Sequence, residues 1–168
     1  MLVSTFILGD FHLGIDIILI REINRSKVVT PIPGAPPFIK GMLNIRGKII
    51  TLYDLKQRLG WDETDSVITG KNGQPIRPFN VILKTHDEVH RLNKASAEKC
   101  QWEDPVGMMV DQLGDVLELS REEIMPAPAN LKGISVDFVE GVVEFKDNLL
   151  VLLNMASIFG IDANDDTN

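Results

Sequence analysis

His86 and His90 stand four residues apart in His86-Asp87-Glu88-Val89-His90, a spacing that shares one helix face and could seat a divalent metal. In the zinc-protease arrangement a glutamate directly follows the first histidine. Here Glu88 comes one residue later, about 100° further around a helix, and no third ligand is evident. The stretch reads better as solvated polar surface. His12, between Phe11 and Leu13 near a turn, reads as a strand residue. Cys100 lies beside Lys99, which could favour a thiolate, but no motif sets a base with it, so it reads as a buried or idle thiol. The acidic residues show no pairing suited to general acid–base work. Gly47, Gly60, Gly70 and Gly73 fit turns, and Gly70-Lys71 lacks the spacing of a phosphate loop. No catalytic residue, metal site or cofactor is expected. Function then falls to the surface, as in a protein–protein interaction module.

Charge narrows the partners. The net charge of −7 disfavours nucleic acid and anionic membrane surfaces, both of which need a basic face. No apolar run is long enough to span a bilayer, and Leu2 to Leu8 reads as a first strand rather than a signal peptide. A lone cysteine fits a reducing cytoplasm.

These residues are carried by a chain that repeats itself. Phe38 to Leu55 aligns without a gap on Phe138 to Met155, and the match runs on to Gly60 and Gly160. Identities are few, but the apolar pattern agrees almost throughout, which points to duplicated β-rich units. Met42–Ile45 and Lys48–Tyr53 flank Arg46-Gly47 as a tight hairpin, and a second hairpin is expected to turn at Asp147-Asn148. Asp54 to Gly60 reads as a helical turn or two, capped by Asp54, with Met155 to Phe159 and Asn154 as its counterpart. Phe11 to Ile23 favours strand through its many β-branched residues, with a buried helix the alternative that periodicity leaves open. Pro31, Pro33, Pro36 and Pro37 make an extended loop that Met125-Pro126-Ala127-Pro128 mirrors. Residues 61–78 are polar, turned at Asn72-Gly73. Residues 86–104 read as an exposed hairpin extension or short surface helix. Short strands with frequent turn signals predict an all-β fold, barrels or a sandwich, and two small barrels packed side by side and sharing an apolar interface is the preferred reading. The first barrel is expected at approximately 11–75, with strands contributed from the other half, and the second at approximately 79–160; residues 162–168 form a frayed acidic tail.

At Phe38-Ile39-Lys40-Gly41 and Asn44-Ile45-Arg46-Gly47, continued by Lys48 to Leu55, the chain resembles the CheW-type chemotaxis coupling proteins. The likeness extends through Phe6 to Asp10, Leu13 to Ile17, Arg21-Glu22-Ile23, Val106 to Asp111, Asp115 to Leu119 and the final hairpin. It implies a fold of two tandem SH3-like five-stranded β-barrels with a few short helices. It also implies a cytoplasmic, non-catalytic adaptor joining the tips of methyl-accepting chemoreceptors to the histidine kinase CheA, which carries a domain of the same fold. An adaptor of a related pathway, such as surface motility or development, is the alternative; a small-ligand binder using a groove between the barrels lies further off.

The resemblance also selects residues. Arg46 matches the family's signature arginine: its planar guanidinium could grip a carboxylate or carbonyls across an interface, or anchor its own loop. Glu22 matches an acidic position after the family's second strand, and Ile20, two residues earlier, could supply apolar surface on the same face. Gly41 and Gly141 are expected to permit a bend or close backbone approach in each barrel. The segment from His86 to Asp104 is longer than the family's usual hairpin there, so it is either inert or selects a partner.

Overall fold

Apolar residues alternating with polar ones, punctuated by glycine and proline, dictate short strands that can each bury one face. The structure, a computed structural model, describes residues 1–25, 28–62, 69–129, 131 and 133–160. Ten strands form: β1 Leu2–Leu8, β2 Phe11–Asp16, β3 Ile20–Arg25, β4 Ile39–Ile45, β5 Lys48–Asp54, β6 Phe79–Leu83, β7 Val106–Val110, β8 Gln112–Glu118, β9 Val139–Phe145 and β10 Asn148–Leu153. Among the described residues three short α-helices accompany them: α1 Leu55–Arg58, α2 His86–Leu92 and α3 Met155–Phe159. The acidic tail expected at 162–168 lies outside the described residues, as does 63–68 within the polar 61–78 loop.

The strands make two five-stranded sheets, ordered β8-β1-β2-β10-β9 and β3-β6-β7-β5-β4. The fold is the expected pair of small β-barrel units with a few short helices. Each has its own apolar centre: Val3, Leu119, Val143, Leu150 and Leu152 in one, Leu43, Ile45, Ile50, Leu52 and Ile82 in the other. A larger core drawn from both sheets and all three helices, including Leu13, Leu19, Leu55, Leu83, Met108 and Ile158, cements the two units.

The strand order corrects the expected division near residues 75–79. Residues 11–16 pair with the C-terminal β10, whereas β6 and β7 join β3, β4 and β5. Counted along the chain, strands 1–5 and 6–10 are two copies of one unit, and each copy has lent its first two strands to the other's sheet. The links explain why. A 3-10 turn, Ile17–Leu19, leads from β2 to β3, and Asp111 alone separates β7 from β8. At Asp111 the link is shorter than the two residues that a tight hairpin needs, so the chain runs on into the neighbouring barrel. The same 3-10 turn interrupts the strand expected over 11–23.

The duplication extends to local details. Thr30 bridges Met42 as Met125 bridges Val142. The Asp54 N–H donates to the Phe38 carbonyl at 2.8 Å, and Asn154 to Phe138 at 2.8 Å. Asp54 and Asn154 cap α1 and α3 by accepting from the backbone N–H groups of Gln57 and Ser157, as expected. Gly41 and Gly141 do admit close backbone: a Cβ on Gly41 would meet the Thr30 carbonyl oxygen at 2.3 Å, and one on Gly141 would meet the Met125 carbonyl oxygen at 3.0 Å. One turn departs from expectation. The β9–β10 hairpin turns at Lys146 and Asp147, both at positive φ, directly matching Arg46-Gly47 rather than lying one residue on.

Residues 86–104 are also more than exposed surface. Val89, Ala97, Cys100 and Trp102 are buried in the shared core, and the Trp102 indole donates to the Lys84 carbonyl at 2.8 Å. The reason is local and then tertiary. Thr85 and Glu88 form a capping box that starts α2, and Val89, Ala97, Cys100 and Trp102 turn inward while Leu92 stays exposed.

Candidate functional site

The β4–β5 hairpin presents Arg46. A two-residue turn that suits the right-handed twist of the strands needs positive φ at both central positions, and Arg46 (φ 51°) and Gly47 (φ 81°) supply it. The Asn44 side-chain oxygen accepts from the Gly47 N–H at 3.0 Å and fixes the loop. Asn44 and Gly47 are therefore turn-formers, and Arg46 projects from a rigid apex.

Glu22 comes from β3, at the opposite edge of the same sheet from β4. Its carboxylate accepts from Arg46 Nη1 at 2.9 Å, so the pair closes the barrel across its two edges. The Arg46 side chain is 82% exposed and that of Glu22 21%. One corner of the guanidinium is thus anchored, and the remaining N–H donors face outward. Both readings of Arg46, internal anchor and outward contact, are compatible with this one geometry.

Ile20 does not join them. A bulge lies between Ile20, paired with Leu83, and Glu22, paired with Ile82. Two residues of β3 then face one of β6, which breaks the alternation that would have put both on one face. Ile20 packs, half-buried, against the shared core with Leu83. The apolar surface on the Arg46 hairpin is instead Ile49, more than half exposed; the consecutive Ile49-Ile50 was its sequence signal.

The bulged start of β3 is gripped from the link between β6 and α2 and from α2 itself. Lys84 donates its ammonium to the carbonyls of Ile18 (2.8 Å) and Ile20 (2.7 Å). Burial lowers the Lys84 pKa, against the opposing pull of Glu88. Arg21 pairs with Glu88, which also accepts from the Thr85 N–H at 2.8 Å. Burial alone would raise the Glu88 pKa, but the hydrogen bonds from Thr85 and Arg21, with the Arg21 charge, hold it below the usual range.

Elsewhere the titratable groups do structural work. Lys56 and Asp111 form a buried ion pair at 3.1 Å, and Asp111 also accepts from the Gly9 N–H at 2.7 Å. The Cys100 thiol is buried and pushed up to about 11, chiefly by burial, so it is protonated at neutral pH. The His86 and His90 rings stack at 5.9 Å, but among the described residues no group of three or more histidine, cysteine, aspartate or glutamate side chains could hold a metal. No described helix is long and apolar enough to cross a membrane.

Known proteins share this architecture. The CheW-like domain model matches residues 3–162. A chemotaxis protein CheW of Treponema pallidum is 28% identical over 155 residues, covering 92% of this chain and 79% of the relative. That of Klebsiella aerogenes is 29% identical over 158 residues, covering 91% and 78%. The crystal structure of the scaffolding protein TtCheW from Thermoanaerobacter tengcongensis superposes with a TM-score of 0.72 at 26% identity, covering 96% of this chain and 88% of that one. With the duplicated barrels, the arginine hairpin and a family match running nearly end to end, this chain belongs to the CheW-like domain family.

Proposed function

We propose that the protein is a non-catalytic adaptor of a cytoplasmic chemosensory pathway, coupling the tips of chemoreceptors to a CheA-type histidine kinase through the Glu22–Arg46 patch. The observation that carries this reading is the family match over residues 3–162, in a chain whose signature arginine is exposed at a rigid hairpin apex. An arginine anchored at one corner offers a planar set of donors to a partner's carboxylate or carbonyls at low entropic cost. Ile49 on the same hairpin adds apolar area that a partner can cover. Individual contacts of this kind are weak, and an array makes them effective by presenting many at once.

Co-sedimentation of the purified protein with the kinase's CheW-like domain and with receptor cytoplasmic fragments tests the reading. Arg46→Ala and Glu22→Lys are expected to weaken at least one association. Arg46→Ala should shift stability by no more than about 0.5–1 kcal/mol, the worth of an exposed ion pair. Normal binding by both variants removes the patch from the account, and failure of the unmodified protein to bind either partner removes the adaptor.

A further inference from the structure

The two barrels close in the same way but are built differently behind the closing pair. Arg46 on Glu22 joins the edges of one; Lys146 on Asp115, at 3.3 Å, joins the edges of the other. The second pair stands in solvent, with side chains 70% and 69% exposed. The first is backed by a chain of amides. Asn24 Nδ2 donates to Glu22 Oε1 at 3.2 Å, and Asn80 Nδ2 donates to Asn24 Oδ1 at 3.3 Å. Asn80 is 1% exposed, and its own Oδ1 has no hydrogen-bond partner among the described residues.

Strand registers identify the corresponding positions in the other barrel. Leu52 opposite Gly107 matches Leu152 opposite Gly14, so Ile82 corresponds to Thr5, and the facing pair Asn24–Asn80 corresponds to Leu117–Val3. Leu117 and Val3 pack together in an apolar cluster. One barrel therefore closes over an apolar pair, while the other keeps two amides there, one of them buried with an unmet acceptor. Such a group costs stability and needs a reason beyond folding.

We propose that Asn24 and Asn80 are positioning residues that hold the Glu22 carboxylate in one rotamer and thereby present Arg46 for docking. This rests on the docking reading of the pair given above. The amide chain fixes one carboxylate oxygen from inside the barrel and leaves the other for the guanidinium. Arg46 then meets its partner already oriented.

The test is the full-length double variant Asn24→Leu/Asn80→Val, which installs the other barrel's residues, with Asn24→Leu alone beside it. Three readouts are followed: thermal midpoint, the exchange of the Arg46 guanidinium signals by NMR, and affinity for the kinase's CheW-like domain. The expected result is an unchanged or raised midpoint, faster rotation of the Arg46 guanidinium, and an affinity lowered by about 2- to 30-fold, the range of indirect couplings of this kind. Adding Arg46→Ala to the double variant should then cost less than it does in the unmodified protein. Unchanged guanidinium exchange overturns the proposal. So does a variant that melts lower or fails to fold, because the amides would then serve the barrel itself. If Arg46→Ala weakens binding and the double variant does not, positioning is overturned and docking stands. If Arg46→Ala binds normally, the docking reading falls, and the proposal that rests on it falls with it.

Discussion

Replacing Lys56 by methionine tests how the two barrels are fastened. Lys56 lies in α1, on the barrel of β3 to β7; its ammonium sits 3.1 Å from Asp111, and the two side chains are only 5% and 11% exposed. Asp111 also takes the N–H of Gly9, in the turn between β1 and β2 of the other barrel, at 2.7 Å. Methionine fills nearly the same volume but leaves the Asp111 charge in a dry site with one neutral donor. Removing one partner of a buried pair costs about 3–5 kcal/mol. For a chain of this size each kcal/mol moves the melting midpoint by about 2–4 °C, so a fall of roughly 6–20 °C is expected by calorimetry. Adding Asp111→Asn in the same molecule removes the stranded charge and keeps an acceptor for Gly9. The double variant should therefore recover at least about 1 kcal/mol relative to the sum of the singles. A Lys56→Met midpoint within 2 °C of the original, or strict additivity of the two changes, refutes the reasoning.

Gly41→Ala should destabilise more than Gly141→Ala in parallel urea melts. The first puts a Cβ 2.3 Å from a backbone oxygen at φ +148°, while the second meets an Ile124 methyl at 2.6 Å and its nearest backbone oxygen, that of Met125, only at 3.0 Å. Because the folded-state pKa of Glu88 is lowered, its stabilisation is fully present above about 4.5 and is lost as pH falls through the depressed value. Glu88→Gln should accordingly flatten the acid limb of a stability-versus-pH curve; an unchanged limb sinks that assignment. Cys100, buried with a raised pKa, should resist thiol reagents at pH 8 until the protein unfolds, and prompt labelling of the native protein counts against it.

What the sequence disclosed is what local chemistry decides. Arg46-Gly47 announces its hairpin, Asp54 and Asn154 their helical turns, and the 100-residue repeat the pairing of Gly41 with Gly141, because each depends on neighbours in the chain. The Lys146-Asp147 turn could have been read from the same repeat, but Asp147-Asn148 carries the stronger turn composition. The bulge at Ile20–Glu22, the exchanged strand pairs and the burial of Trp102 depend on partners far along the chain, and no local pattern encodes them. The Thr85-x-x-Glu88 capping box was a signal for α2 in plain view. Nothing in sequence joins Glu22 to Arg46, a contact that exists only once opposite edges of a sheet are brought round, or Asn24 to Asn80, which meet only when β3 pairs with the distant β6.

The lending of β1 and β2 to one barrel, and of β6 and β7 to the other, has a mechanical side. Two beads on a string would swivel about their linker. Here a load applied at the Arg46 apex passes through β4 and β5 into β7, and Asp111 hands it straight to β8 of the other barrel, while the 3-10 turn at Ile17–Leu19 makes a second such joint from β3 back to β2. With two covalent struts and a common packed seam, tilting one barrel against the other means tearing strands from a sheet. The exchanged strands thus make the pair of barrels a bracket rather than a tether, one that resists swivelling because both sheets share its struts.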